Sequence, residues 1–193
     1  MVLGSGDPDA EVMFVGEAPG YHEDLQGIPF VGRSGKLLDT LLAGIGLSRD
    51  DVFVANVLKC RPPGNRDPLP AEIRQCEPHL FRQVALISPR LVCTLGNFAT
   101  KLLSGRPDGI SQVHGHELPM QIGGRAVVLY PLFHPAAALY TRTMLATLEA
   151  DFARIPELLG ASTSTRSAAD DEPEPRSPSS APPPAGDPQL GLF

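Results

Sequence analysis

The feature that most constrains this chain is a short apolar run, Val12-Met13-Phe14-Val15, that ends abruptly in Gly16-Glu17-Ala18-Pro19-Gly20. An unbroken apolar run of this length, closed by turn residues, reads as a strand buried on both faces. Such strands build open sheets covered by helices, and in these sheets ligands bind beyond the carboxyl ends of the strands. One carboxylate, Glu17, is left at that end, where it can act as a general base.

The remaining pattern repeats the alternation. Leu37, Leu38, Leu41, Leu42 and Ile45 recur at helical spacing, and Gly46 is a stop. Val52 to Leu58 reads as a second strand, and Pro70 opens a helix carrying Ile73, Cys76, Leu80 and Val84. Leu91 to Leu95 is a strand, Asn97 to Leu103 a short helix, and Gly123-Gly124 a hairpin turn between Leu118–Ile122 and Ala126–Leu132. Thr143 to Leu159 predicts one final helix with Leu145, Leu148, Phe152 and Ile155 on one side. Strands separated by helices pair in parallel through right-handed crossovers. The expected fold is a three-layer α/β/α sandwich with a central, mainly parallel sheet. Its carboxyl edge gathers Glu17, Asn56 and His134.

Composition changes after Gly160. Residues 1–160 form the expected domain. Residues 161–188 are mostly Ser, Thr, Ala, Pro, Asp and Glu, too polar to offset their ordering entropy, and are expected to be disordered. The chain then turns apolar again at Gln189-Leu190-Gly191-Leu192-Phe193. The net charge of −6 argues weakly against a general nucleic-acid binder, but residues 161–193 hold five acids and two bases, so half of that charge belongs to the tail. No apolar run is long enough to span a bilayer and no basic-then-apolar start suggests a signal peptide, so a cytoplasmic location is expected. Three cysteines, Cys60, Cys76 and Cys93, make no disulfide framework. Cys93 lies in an apolar strand and is assigned to the core.

Taken singly, each edge residue has an ordinary structural reading. Asn56 can end a turn, His134 can be a satisfied core side chain, and Glu17 can cap the next helix. Their joint placement with the loop Gly27-Ile28-Pro29-Phe30-Val31-Gly32 is what points to a site, because that loop offers an aromatic ring to stack on a flat ligand. Gly32-Arg33-Ser34-Gly35-Lys36 is not a phosphate-binding loop: the first glycine would fall at Phe30, and Leu37 follows Lys36. The dinucleotide fingerprint is absent as well. Helix-terminal amides near Ser34 can still meet a DNA phosphate.

These blocks resemble those of the family 4 uracil-DNA glycosylases. Gly16-Glu17-Ala18-Pro19-Gly20, Glu23-Asp24 and the Gly27–Gly32 loop are similar to the first blocks of that family. Asn56-Val57-Leu58-Lys59-Cys60-Arg61-Pro62-Pro63 with Asn65-Arg66, then Leu95-Gly96 with Ala99, then His134-Pro135, continue the series. The resemblance covers residues 4 to 159 and implies an enzyme that releases uracil from DNA in base excision repair without cutting the backbone. It implies Glu17 and His134 as catalytic groups and Gly16, Glu23, Phe30 and Asn56 around the uracil, with Glu23 walling off a thymine methyl. Ser34, Lys59, Arg66 and Arg142 are the expected DNA contacts, and Leu139 or Tyr140 the wedge into the vacated stack. The enzyme is expected to act as a monomer near the nucleoid.

The resemblance also implies a [4Fe-4S] cluster with Cys60 and Cys76 as two of four ligands. The family's N-terminal Cys-x-x-Cys is missing from this sequence. Three readings follow: a start internal to a longer protein, which is the one expected here, loss of the cluster, or an inactive copy. Gln189, Leu190, Leu192 and Phe193 resemble the peptide by which bacterial repair proteins dock on the DNA sliding clamp, with residues 161–188 as tether. A different class of function, a catalytically impaired, clamp-recruited DNA-binding module, is the alternative. An enzyme that traps DNA covalently through histidine ranks last, because the stretch from Gly32 to Leu38 lacks the histidine-bearing insert of such relatives.

Overall fold

The structure, a computed structural model, describes residues 1–166. Six strands form one sheet in the order β1-β3-β2-β4-β6-β5: β1 Ser5–Gly6, β2 Val12–Gly16, β3 Phe53–Asn56, β4 Leu91–Leu95, β5 Leu118–Ile122 and β6 Arg125–Leu132. The inner four are parallel, and β1 and β5 are antiparallel edges. Helices α1 Tyr21–Gln26, α2 Arg33–Gly44, α3 Pro70–Ile87, α4 Asn97–Ser104, α5 Ile110–Val113, α6 Pro135–Ala138, α7 Arg142–Ala153 and α8 Ile155–Arg166 follow in chain order. Every residue of β2 and β4 is buried. Strand alternation divides them between two cores: Val12 and Phe14 pack with Leu38, Leu42, Tyr130 and Phe152, while Met13 and Val15 pack with Leu80, Val84 and Leu129. The expected three-layer architecture is therefore present.

The strand order explains where a site forms. From β2 the chain moves outward to β3; it then crosses back and lays β4 on the other side of β2. The connections leaving β2 and β4 diverge, which opens a crevice beyond their carboxyl ends.

Several elements differ from the sequence expectation, among them the short helices α1, α5 and α6, which it did not include. Strand β1 was not anticipated: two residues that pair with Phe53 and Val54 carry no hydrophobic signature. Strand β3 stops at Asn56, two residues before the expected end. The final helix is two helices broken at Arg154, because Pro156 has no amide proton with which to continue the α7 ladder. Helix α8 then runs past the composition break at Gly160 to Arg166. The rest of the expected linker and the peptide Gln189, Leu190, Leu192 and Phe193 lie outside the described residues. Among the described residues no helix is long and apolar enough to cross a membrane.

Candidate active site

The crevice is built from strand ends. Gly16 faces Asn56 across the β2–β3 register. A Cβ at position 16 would stand 2.4 Å from Asn56 Oδ1 and 2.7 Å from Phe30 Cζ, so only glycine lets the amide and the ring close on the strand end. Asn56 is buried. The ring of Phe30 stacks on His134 with centroids 5.7 Å apart and 27° between planes.

Phe30 occupies the left-handed region at φ 54, a costly conformation for a residue with a side chain. Its neighbours hold it there. Glu23 Oε1 accepts from the amides of Val31 (3.1 Å) and Gly32 (3.0 Å), and Arg49 Nη2 donates to the Phe30 carbonyl at 2.9 Å. Gly35 leaves room for that carbonyl, which would lie 1.7 Å from a Cβ. An acid and a base thus grip consecutive peptide groups of one loop.

Glu17 and His134 line the same open cleft of about 560 Å³, together with Asp67, Leu95, Gly96 and Lys101. Burial raises the Glu17 pKa above 4.5, and Asp67 nearby adds to the shift. His134 follows β6 and caps α6, its Nδ1 accepting from the Ala136 amide at 3.1 Å. Nδ1 therefore carries a lone pair, and the proton of the neutral ring sits on Nε2. Burial lowers the His134 pKa to about 4, so the ring is neutral at physiological pH. A neutral Nε2–H donor and a carboxylate of raised basicity thus share the crevice, and the Phe30 ring stacked on His134 and the Asn56 amide packed at Gly16 lie buried beside it. The set can grip a flat heterocycle, accept a proton from water, and stabilise negative charge on a leaving group.

Other expected site residues are placed differently. Glu23 is bonded to the backbone that follows Phe30, so it reaches the site through that loop. Ser34 sits, partly buried, in the first turn of α2, and Arg142 is exposed at the start of α7. Tyr140, 77% exposed, accepts a hydrogen bond from Arg33 Nη1 at 3.3 Å, whereas Leu139 is partly buried. Arg66 pairs with both carboxylate oxygens of Glu72 (2.7 and 2.9 Å) and donates to the Asp67 carbonyl at 3.0 Å, so it braces the loop that carries Asp67.

Lys59 corrects the sequence reading. It is 2% exposed, and its Nζ donates to the carbonyls of Asn56 (2.8 Å) and Leu3 (3.3 Å) and to Gln83 Oε1 (2.6 Å). A phosphate cannot reach it. Burial pulls its pKa down to about 8.

Sequence reasoning missed Asp67 and Arg49. Asp67 follows Asn65-Arg66 directly, so adjacency to a recognised block was a usable signal. Arg49 had none: the separation of nineteen residues from Phe30 is bridged only by the fold.

Cys60 is exposed, and the Lys59 amide beside it donates to Cys76 Sγ at 3.4 Å, so the two thiols share one corner. Thiols are the right chemistry for an iron–sulfur cluster, but two are half of a four-thiolate set. Cys93 lies in the core, where burial raises its pKa, and no group of three or more metal-ligating side chains gathers among the described residues. The residues present do not by themselves fit a complete cluster site.

The model of the uracil DNA glycosylase superfamily matches residues 3–159. A type-4 uracil-DNA glycosylase of Archaeoglobus fulgidus is 47% identical over 163 residues, 82% of each chain. One from Sulfurisphaera tokodaii is 46% identical over 81% of this chain and 74% of its own, and one from Thermotoga maritima 42% identical over 74% and 73%.

Proposed function

Because the chain belongs to the uracil DNA glycosylase superfamily, we propose that it hydrolyses the N-glycosidic bond of uracil in DNA and releases the free base for excision repair. The observation that carries this reading is the meeting of Glu17 and His134 in one cleft beside the Phe30 ring and the Asn56 amide. The curated relatives favour an enzyme over a non-catalytic module.

Uracil stacked in DNA is out of reach, so it must swing out into the crevice. Phe30 stacks on the flipped ring, and Asn56 reads the uracil edge through donor and acceptor together. As the C1′–N1 bond lengthens, positive charge grows on the sugar and the bonding pair passes to the base. The ionised carboxylate of Glu17 faces the cation and takes a proton from the attacking water. The His134 Nε2–H donates to the uracil oxygen on which charge accumulates. A neutral donor suits this role, because it stabilises the anion without first being deprotonated. Uracil leaves as an anion and is protonated in solvent; the sugar keeps the hydroxyl. Lys59 is sealed in the interior and is no amine nucleophile against the sugar, and the reaction is read as a simple hydrolysis that leaves the product strand uncut.

The finer assignments extend this reading. Tyr140, held by Arg33, is the wedge, and Arg142 and the amides near Ser34 meet phosphates. The cysteine corner offers Cys60 and Cys76 as two of the four ligands that an iron–sulfur cluster would need. Residues 189–193 dock on the sliding clamp, residues 161–188 serving as tether, and the enzyme works as a cytoplasmic monomer close to DNA.

Uracil release from single- and double-stranded oligonucleotides tests the central claim. The expected products are free uracil and an intact abasic strand. No release from either substrate, with the protein shown to be folded, overturns it.

A further inference from the structure

The buried ammonium of Lys59 lies outside the mechanism above, yet it touches the segment that carries Asn56. Strand β3 ends at Asn56, and antiparallel β1 pairs only as far as Val54, so the Asn56 carbonyl points away from any strand partner. Lys59 Nζ supplies the missing donor at 2.8 Å. Its other bonds run to Gln83 Oε1 on α3 (2.6 Å) and to the Leu3 carbonyl (3.3 Å), where Gln83 Nε2 also donates at 2.7 Å. The Lys59 carbonyl accepts in turn from the Val2 amide at 2.6 Å. The segment from Asn56 to Lys59 also latches onto the end of β2 and the residue after it: Val57 donates to the Gly16 carbonyl and Leu58 to the Glu17 carbonyl, both at 2.9 Å. One side chain therefore bolts a turn whose first residue reads the base and whose third holds the backbone of Glu17, the general base.

We infer that Lys59 is a positioning residue, whose ammonium fixes the Asn56–Lys59 turn against α3 and the amino-terminal segment and so sets the Asn56 amide and Glu17 in register for an extruded uracil. Tolerance here is small. Asn56 Oδ1 stands 2.4 Å from where a Cβ on Gly16 would be, so a shift of the turn moves the amide directly against the strand end. A methionine at position 59 keeps the bulk of the stem but offers no donor, leaving the Asn56 carbonyl buried and unbonded. The turn then relaxes toward another donor and carries Asn56 with it. This inference rests on the proposed excision of uracil in the crevice.

The test compares wild type with Lys59→Met under single-turnover conditions on a uracil-containing single strand, well below the unfolding temperature of both. Inhibition by free uracil and affinity for an uncleavable 2′-fluoro-deoxyuridine strand at several salt concentrations are measured alongside. The expected result is a rate at least about tenfold lower and weaker inhibition by free uracil, with strand affinity within about twofold and an unchanged salt slope. Gln83→Leu removes one bond of the bolt from the α3 side and is expected to reproduce the same pattern more mildly; it carries the test if Lys59→Met does not fold. A lowered unfolding temperature with unchanged rate and uracil inhibition overturns the inference and leaves Lys59 a structural residue. So does weaker strand binding with a salt slope shallower by about one, the signature of a lost phosphate contact. Wild type that releases no uracil defeats the proposed function instead, so the two failures are distinct.

Discussion

Two histidines, each in ring contact with a phenylalanine, flank the carboxyl end of β6, and they do opposite things. His134 stacks on Phe30 at 5.7 Å, faces the cleft, and uses only its Nδ1, leaving Nε2 free toward a ligand. His114 lies tilted by 37° against Phe133 with centroids 4.5 Å apart and turns its Nδ1 to Asp151 Oδ2 at 2.8 Å. Asp151 belongs to a dense knot: its carbonyl accepts from the Tyr130 hydroxyl at 3.0 Å, and a Cβ on Gly115 would stand 2.5 Å from its Oδ1. Arg154 joins the knot through the Gly115 carbonyl and through Glu117 at 2.6 Å. The knot ties α7 to the segment before β5. One region holds its polar groups toward an open cleft; the other turns them on one another. Function and stability should therefore separate cleanly between them.

The largest effect is expected on the open side. Glu17→Gln removes the proton acceptor but not the volume, and uracil release should fall by about 10²–10⁴-fold. The fold should not suffer, because a half-buried carboxylate of raised pKa is replaced by a neutral amide. Single-turnover kinetics and a denaturation curve on the same preparation check both halves.

Next in size is the contrast between the histidines themselves. His134→Ala should slow release by about 10²–10³-fold through loss of a donor aimed at developing charge. His114→Ala should leave the rate of folded enzyme within about twofold, but lower stability by about 1.5–3 kcal/mol, the range for a hydrogen bond to a carboxylate. A rate loss in His114→Ala as large as that in His134→Ala would break the division between the regions.

The pH dependence sharpens the same contrast. Glu17 must be ionised to accept a proton, and burial raises its pKa above 4.5, so activity should decline as pH falls through that raised value, with one proton bound. His134 stays neutral down to about pH 4 and does not set this limb. Its effect on stability has a definite sign. Its native pKa, about 4, lies below the ordinary 6.5, so the unfolded chain binds the extra proton between those values. The contribution is complete above about pH 6.5 and is lost as pH falls toward 4. Chemical denaturation across that window should show a shallower acid decline in His134→Ala, and NMR of the wild-type imidazole should titrate near 4.

Much of the open region was legible in the sequence. Glu17, Asn56 and His134 follow strands whose apolar runs are plain, and strand ends share an edge whatever the details of packing. The unbroken run Val12 to Val15 reads as a strand buried on both faces, and the structure divides its residues between the two cores. The closed region was not legible. His114, Asp151 and Arg154 are far apart in sequence, sit in short or irregular segments, and meet only because β6 and α7 pack together. Lys59 failed for a related reason. A lysine beside a recognised motif reads as a phosphate contact, and only the path of residues 1–4 and α3 over it shows that it is sealed in. Burial of a charged side chain is a property of tertiary neighbours, not of local pattern.

The smallest expected effect concerns the loop that links the two ways of using a carboxylate. Glu17 lines the cleft, while Glu23, six residues on, accepts the Val31 and Gly32 amides on its Oε1. Its task is to keep Phe30 at φ 54, with Arg49 holding the carbonyl from the other side. Glu23→Gln retains one acceptor oxygen and should change uracil release by no more than about threefold, since the amides lose only the charge assistance of their partner. Glu23→Ala loses the acceptor, frees the strained residue to relax, and should weaken inhibition by free uracil by about tenfold, roughly one to two kilocalories of lost preorganisation. The order of the two variants matters more than their size. If glutamine proves as damaging as alanine, the negative charge itself is required at the crevice, and Glu23 joins Glu17 on the open side of the comparison.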